Sequence, residues 1–194
     1  MTSSIYLLGR PIVTYGIARS ENAFRSLAVW PVLNGFIFMF NSLAISLQEV
    51  VIALLEQNPA NRKRIANFTS VLAISLSALL FISIAAPIRN LWFARINGLP
   101  DYLVDLTRWP LLVLALVPAI STLKSWYRGL YVMNKRTGTL SSGVILYTVA
   151  LLACVIVVPS IVRGPGALLA AIFLLFAQLV ENLYLRLRLK PPKR

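Results

Sequence analysis

The sequence predicts an all-α integral membrane protein: a multi-pass helical bundle with five full transmembrane helices and a truncated first one. Three observations predict it. Of 194 residues, 58% are hydrophobic and only 13% charged, whereas an ordinary soluble domain is about a quarter charged. Mean hydropathy is +0.77. The apolar residues fall in runs long enough for membrane helices of about 20 residues, not in the alternating segments of about ten that build membrane strands. An open sheet could not satisfy its backbone in lipid.

The elements follow in order. Residues 5–19 (IYLLGRPIVTYGIAR) form a short apolar stretch interrupted by Gly9, Arg10 and Pro11. They lack the basic start of a signal peptide and read as the second half of a membrane helix. Residues 27–55 are long enough to span with tilt, and 66–88, 103–131, 139–159 and 166–188 give four more spans. Polar punctuation separates them: NPANRKR at 58–64, INGLPD at 96–101, NKRTG at 134–138, and the break Arg163-Gly164-Pro165-Gly166. Residues 1–190 thus read as a single bundle and 191–194 as a basic cytoplasmic tail.

Nineteen Lys and Arg against six Asp and Glu give a net charge of +13. In a soluble protein that balance would suggest nucleic acid. Here the cations sit between apolar runs, no nucleic-acid motif accompanies them, and they read as topology signals. One side of the membrane holds Arg62, Lys63, Arg64, Lys135, Arg136, Arg186, Arg188, Lys190, Lys193 and Arg194. The other holds Arg19, Arg25, Arg89, Arg95 and Arg163. The richer side, with the C-terminus, is expected in the cytoplasm. The location expected is the cell membrane (the inner membrane in a bacterium).

Chemistry is sparse. There is no histidine, and Cys154 stands alone in an apolar run. Ser-His-Asp and Cys-His catalysis, His metal sites and an intramolecular disulfide are therefore excluded. No Gly-rich phosphate loop exists. The expectation is no enzyme, no cofactor and no metal. Asp101 and Asp105 read as charges at a helix N-terminus rather than a metal pair. Trp30, Trp92, Trp109 and Tyr184 read as interfacial anchors. The Asn67-Phe68-Thr69 sequon falls on the cytoplasmic side.

The informative residues are polar groups inside the spans. Asn34, Asn41 and Gln48 recur every seven residues, and Gly35, Ser42 and Glu49 follow one step on. Seven residues drift only about 20° around a helix, so all six are expected on one stripe of the 27–55 helix. That stripe either glues helices together by hydrogen bonds or lines a polar cavity. Glu49 favours the second, because a carboxylate in a span is costly unless paired or wet. Lys124 and Arg128 lie four apart on one face of the 103–131 helix, six and ten residues after Pro118, which is expected to kink or loosen it. Like charges repel at that spacing. An anion or a carboxylate on a neighbouring helix would explain them, and Glu49 and Glu181 are the available acids. Snorkelling to the interface is the structural alternative, and it suits Arg128 better than Lys124. Glu181 could equally pair with Arg186 or Arg188.

The segment SWYRGLYVMNKRTG at 125–138 resembles a helix end in the C-terminal bundle of the multidrug/oligosaccharidyl-lipid/polysaccharide (MOP, MATE-like) flippase superfamily. The nearest resemblance is to its progressive ankylosis (ANKH-like) branch. GRPIVTYGIAR, LQEVVIALLEQNPANRK, STLKSWYRGL and GPGALLAAIFLLFAQLVENLYL resemble successive helices of that branch, in order along nearly the whole chain. The resemblance implies charged helix positions at Glu49, Lys124 and Glu181. It also implies transport of anions such as pyrophosphate, nucleotides or carboxylates, in a fold of two six-helix bundles of which this chain resembles the second.

The leading expectation is therefore half of an alternating-access transporter for a small organic or phosphate-type anion. Lys124, Glu49, Glu181, Asn41 and Gln48 would line its binding site. Its partners would be membrane lipid and a second bundle, from self-association or from another chain. The alternatives are a flippase for a lipid-linked pyrophosphate precursor and a non-transporting membrane subunit or fragment. Related branches export drugs as antiporters.

Overall fold

The computed structural model describes residues 2–161 and 164–189, with side chains over 8–159 and 164–189. The expected tail at 191–194 and the cations Arg163, Lys190, Lys193 and Arg194 lie outside the described residues. All regular structure among the described residues is helical, apart from one isolated bridge between Glu21 and Pro165. The helices are α1 (Thr2–Ala18), α2 (Ala23–Gln57), α3 (Arg62–Ser83), α4 (Ala86–Asn90), α5 (Asp101–Leu106), α6 (Arg108–Leu114), α7 (Val117–Met133), α8 (Thr137–Ile161) and α9 (Gly166–Arg188). A π-helical turn, Leu91–Ile96, follows α4.

Five helical stretches are long and apolar enough to cross a membrane: Ala23–Gln57, Pro59–Ser83, Asp101–Met133, Thr137–Pro159 and Gly166–Arg188. At 1.5 Å per residue the 35-residue α2 is about 52 Å long, well beyond the ~30 Å of a hydrocarbon core, so it must tilt or project.

Proline sets the breaks that the apolar runs conceal. The expected 103–131 helix is three pieces, and the expected 66–88 helix stops at Ser83. Each break falls where a proline removes a donor and its ring clashes with the carbonyl four residues back. Pro87 ends α3 at Ser83, Pro110 ends α5 at Leu106, and Pro118 ends α6 at Leu114. Pro11 and Pro31, by contrast, are carried inside α1 and α2.

The main core joins α1, α2, α6, α7, α8 and α9. Val29, Leu33, Leu111, Leu151 and Ala171 are fully enclosed there. Phe36 caps it, with its ring 5.1 Å from Trp92 and 5.5 Å from Phe93. A smaller cluster of Leu47, Val51, Leu55, Ile65, Trp126 and Leu130 ties α2, α3 and α7 at the opposite end. Met133 and Leu189 pack against it. The end of α2, the start of α3 and the ends of α7 and α9 thus gather at one end of the bundle. The cations Arg62, Lys63, Arg64, Lys135, Arg136, Arg186 and Arg188 go with them. The turn between α1 and α2 meets the start of α9 at the other end, where Gly166 N–H donates to Glu21 O at 3.4 Å.

The outer faces are apolar rather than polar. Ile145, Val149, Leu152 and Ile156 on α8, and Ile172, Phe176, Leu179 and Leu183 on α9, are exposed at helical spacing. In water such faces would drive association. In hydrocarbon they are the favourable surface.

Candidate functional site

The polar residues of α7 share one face because they recur at helical spacing. Ser121, Lys124, Ser125 and Arg128 stand at i, i+3, i+4 and i+7. On α9, Gln178, Glu181, Asn182 and Leu185 repeat the pattern against them. The two helices close on each other through a polar ladder. The Ser121 hydroxyl donates to Gln178 Oε1 at 3.4 Å. Asn182 Nδ2 donates to the Ile120 carbonyl at 3.2 Å. The Tyr131 hydroxyl donates to the Leu185 carbonyl at 2.8 Å.

At the centre of the ladder both cations meet one carboxylate. Lys124 Nζ lies 3.5 Å from Glu181 Oε2, and Arg128 Nη2 lies 3.1 Å from Glu181 Oε1. The Glu181 side chain is 1% exposed, against 11% for Lys124 and 24% for Arg128. Gly143 on α8 lies behind it: a Cβ there would stand 3.7 Å from Glu181 Cγ, an ordinary packing distance. The carboxylate is sealed between helices, and the cations reach outward from it. Two positive charges share one negative charge, so the cluster carries an excess positive charge.

That excess faces a cavity of about 730 Å³. Lys124, Arg128, Ser121, Ser125 and Gln178 line its inner wall, with Tyr147 of α8. Asn34, Asn41 and Gln48 of α2, with Arg10 and Thr14 of α1, line the rest of its polar surface. No carboxylate is among the lining residues. Arg10, Thr14, Pro31, Asn34, Gly35, Phe38 and Ile45 line it and are also exposed, so the cavity opens along α1 and α2. The Asn41 Oδ1 atom is buried with no hydrogen-bond partner among the described residues.

Of the expected site residues, Lys124, Asn41 and Gln48 line the cavity and Glu181 anchors it from behind. Glu49 does not join them. It is exposed, it lies outside the cavity lining, and it makes no ion pair among the described residues. Ser42 is exposed with it. The reason is rotational. Asn34, Asn41 and Gln48 hold one line of α2, and one residue further turns about 100° around the axis. That turn carries Ser42 and Glu49 onto the outer flank, so the stripe expected to hold six residues splits in two. Gly35 alone of the second set stays at the cavity edge. Arg128, for which both snorkelling and a carboxylate on a neighbouring helix were open, pairs with Glu181.

Arg10, Tyr147, Gln178, Ser121 and Ser125 were not anticipated. The last two were legible, since they complete the helical spacing around Lys124 and Arg128. Gln178, one turn before Glu181, was legible in the same way. Arg10 and Tyr147 carry no local signal, because only the packing of α1 and α8 against α9 brings them in. Asp105 pairs with Arg89 at 3.3 Å at the far end of the bundle. No group of three or more potential metal ligands occurs among the described residues. Comparison with protein-family models, with curated proteins and with solved structures finds no match for the chain.

Proposed function

We propose that the chain is one half of an alternating-access transporter of the MOP flippase type, resembling the progressive ankylosis branch. It moves a small organic or phosphate-type anion across the cell membrane. The observation that carries this reading is the cationic cavity: Lys124, Arg128 and Arg10 line it, and the one nearby acid, Glu181, is sealed behind them. A low-dielectric wall strengthens the attraction of such a cluster for a negative ligand. Asn34, Asn41, Gln48 and Gln178 supply neutral hydrogen-bonding groups for the rest of the ligand. The opening along α1 and α2 leaves polar groups facing outward, and unsatisfied polar groups are unfavourable in hydrocarbon. A second bundle, from a second copy or another chain, closes that wall, and rocking of the two bundles exposes the site alternately.

The lateral opening also favours a second reading, flipping of a lipid-linked pyrophosphate precursor, whose tail could stay in lipid while its head group enters. One experiment separates the two. The purified chain is reconstituted at high protein-to-lipid ratio, with the cavity residues unchanged. Vesicles are then assayed for uptake of labelled pyrophosphate and citrate, and for exposure of a pyrophosphate-linked isoprenoid. Uptake of the small anions that is lost in Lys124→Ala supports the anion transporter. Lipid translocation without uptake supports the flippase. Neither activity leaves a non-transporting membrane subunit.

A further inference from the structure

Arg10 is a third cation at the cavity, and it stands apart from the other two. It lines the cavity from α1, is exposed on the open side, and makes no ion pair among the described residues. Lys124 and Arg128, by contrast, both contact Glu181, at 3.5 and 3.1 Å. The packing of α1 on α8 fixes the level of Arg10 in the bundle. A Cβ at Gly9 would stand 3.5 Å from the Tyr147 hydroxyl and 3.7 Å from Leu151 Cδ2, and one at Gly16 would stand 3.1 Å from Val155 Cγ1. The two helices therefore run side by side in the same direction. Further back on α8, Gly143 lies against Glu181. Arg10 is thus one to two helical turns, about 6–12 Å, from the level of the ion cluster. It lies toward the end where the α1–α2 turn meets α9. A guanidinium at that depth of an apolar bundle is costly unless an anion or water meets it.

The cavity wall therefore carries two cationic stations on different helices. We infer that the cavity selects an anion with two separated negative groups, one held by Lys124 and Arg128 and the other by Arg10, joined by a short uncharged spacer. Arg10 is the residue that tells such a dianion from a singly charged or compact one. Three observations lead there. Across the whole wall three cations meet one carboxylate, Glu181, so a dianion matches the surplus charge. The cavity, at about 730 Å³, is far larger than one compact anion fills. The remaining lining is uncharged: Tyr147, Gln178 and Asn41 offer hydrogen bonds, and Val13, Ile37 and Leu174 offer apolar contact for a spacer. Helical side chains also tilt toward the N-terminus of their own helix, which on α1 is the direction of the ion cluster. The Arg10 stem thus leans toward Lys124 rather than away from it. This rests on the anion-cavity reading above and adds its specificity.

The test is calorimetric titration of the purified full chain in detergent at neutral pH with glutarate, pentanoate and oxalate. Glutarate and pentanoate share one carbon chain and differ by the second carboxylate. Oxalate carries its two charges on adjacent carbons, too close to reach both stations. The chain is expected to bind glutarate about tenfold or more tighter than pentanoate, the worth of one further hydrogen bond between charged groups. In Arg10→Gln the preference for glutarate over pentanoate should collapse, while that for oxalate over pentanoate changes far less. Arg10→Lys keeps the charge and should keep part of the preference. Glu49→Gln, outside the cavity, should keep all of it. Glutarate bearing a long alkyl chain on its central carbon separates the sources of the ligand. Arg10-dependent binding of plain glutarate supports a free dianion, and binding of the alkylated form alone supports one carried on a lipid. Glutarate binding no tighter than pentanoate overturns the inference and spares the anion cavity. An equal loss of all three ligands in Arg10→Gln makes Arg10 a structural residue and overturns it too. An equal loss of glutarate and oxalate, with pentanoate spared, overturns the separation of the two stations. Binding of none of the ligands, alkylated glutarate included, overturns the inference together with the cavity reading. Should Arg10→Gln fail to fold, the unaltered chain and Arg10→Lys decide through the same ratios.

Discussion

Gly129 on α7 sits directly against Val51 on α2: a Cβ at Gly129 would stand 2.6 Å from Val51 Cγ1 and 3.5 Å from the Gln48 carbonyl. The absence of a side chain there sets how closely α7 approaches α2. It therefore sets the distance between the cation-bearing face of α7 and the Asn41–Gln48 wall of the cavity. Gly129→Ala is expected to push the two helices apart locally, and Gly129→Val to do so severely. Overpacking of this kind costs about 1–3 kcal/mol. Thermal unfolding in detergent should show a graded fall, alanine then valine. An unchanged midpoint for valine would mean the approach is not tight.

The ion cluster should behave as a unit. Lys124→Met leaves Glu181 with Arg128, and Arg128→Met leaves it with Lys124, so each single change is expected to be mild. Replacing both strands a sealed carboxylate, and breaking a buried pair costs roughly 3–5 kcal/mol. The double variant should therefore lose far more than the sum of the singles. Adding Glu181→Gln should recover much of the loss. Membrane abundance and unfolding midpoints of the four variants measure this. Additive losses would place the charges in wet surroundings.

Glu49 and Glu181 provide an internal contrast. Glu49→Gln removes an exposed carboxylate with no ion pair among the described residues. It is expected to change stability by no more than about 0.5 kcal/mol. Glu181→Ala leaves two like charges facing each other and should reduce abundance sharply. A large effect at Glu49 together with a small one at Glu181 would reverse the assignment of the site acid.

Orientation follows from the basic end. With Cys154 replaced by Ala, single cysteines at Arg95 and at Lys135 are exposed to an impermeant thiol reagent in intact cells. The cysteine at 95 should label and that at 135 should not if the cation-rich end is cytoplasmic, as the positive-inside rule expects. Labelling at 135 alone would invert the topology.

Much of this protein was determined by its sequence alone. Long apolar runs leave helices as the only economical way to bury backbone in lipid, and polar punctuation marks their ends, so the all-α class and five spanning stretches were legible. The clustering of Arg62–Arg64 with Lys135 and Arg136 at one end follows from helices that alternate in direction. The polar face of α7 was legible too, because one helix fixes the spacing of its own side chains. Tertiary structure decided the rest. Which acid meets Lys124 depends on how α2 and α9 are rotated about their axes, and one residue's step of about 100° is enough to turn Glu49 outward while Glu181 turns inward. The entry of Arg10 and Tyr147 depends on α1 and α8 packing against α9, across sequence separations that no local pattern encodes. The breaks at Ser83, Leu106 and Leu114 lie between these cases. Prolines at 87, 110 and 118 were visible, but prolines at 11 and 31 are carried inside continuous helices, so only the packed structure distinguishes a break from a tolerated interruption.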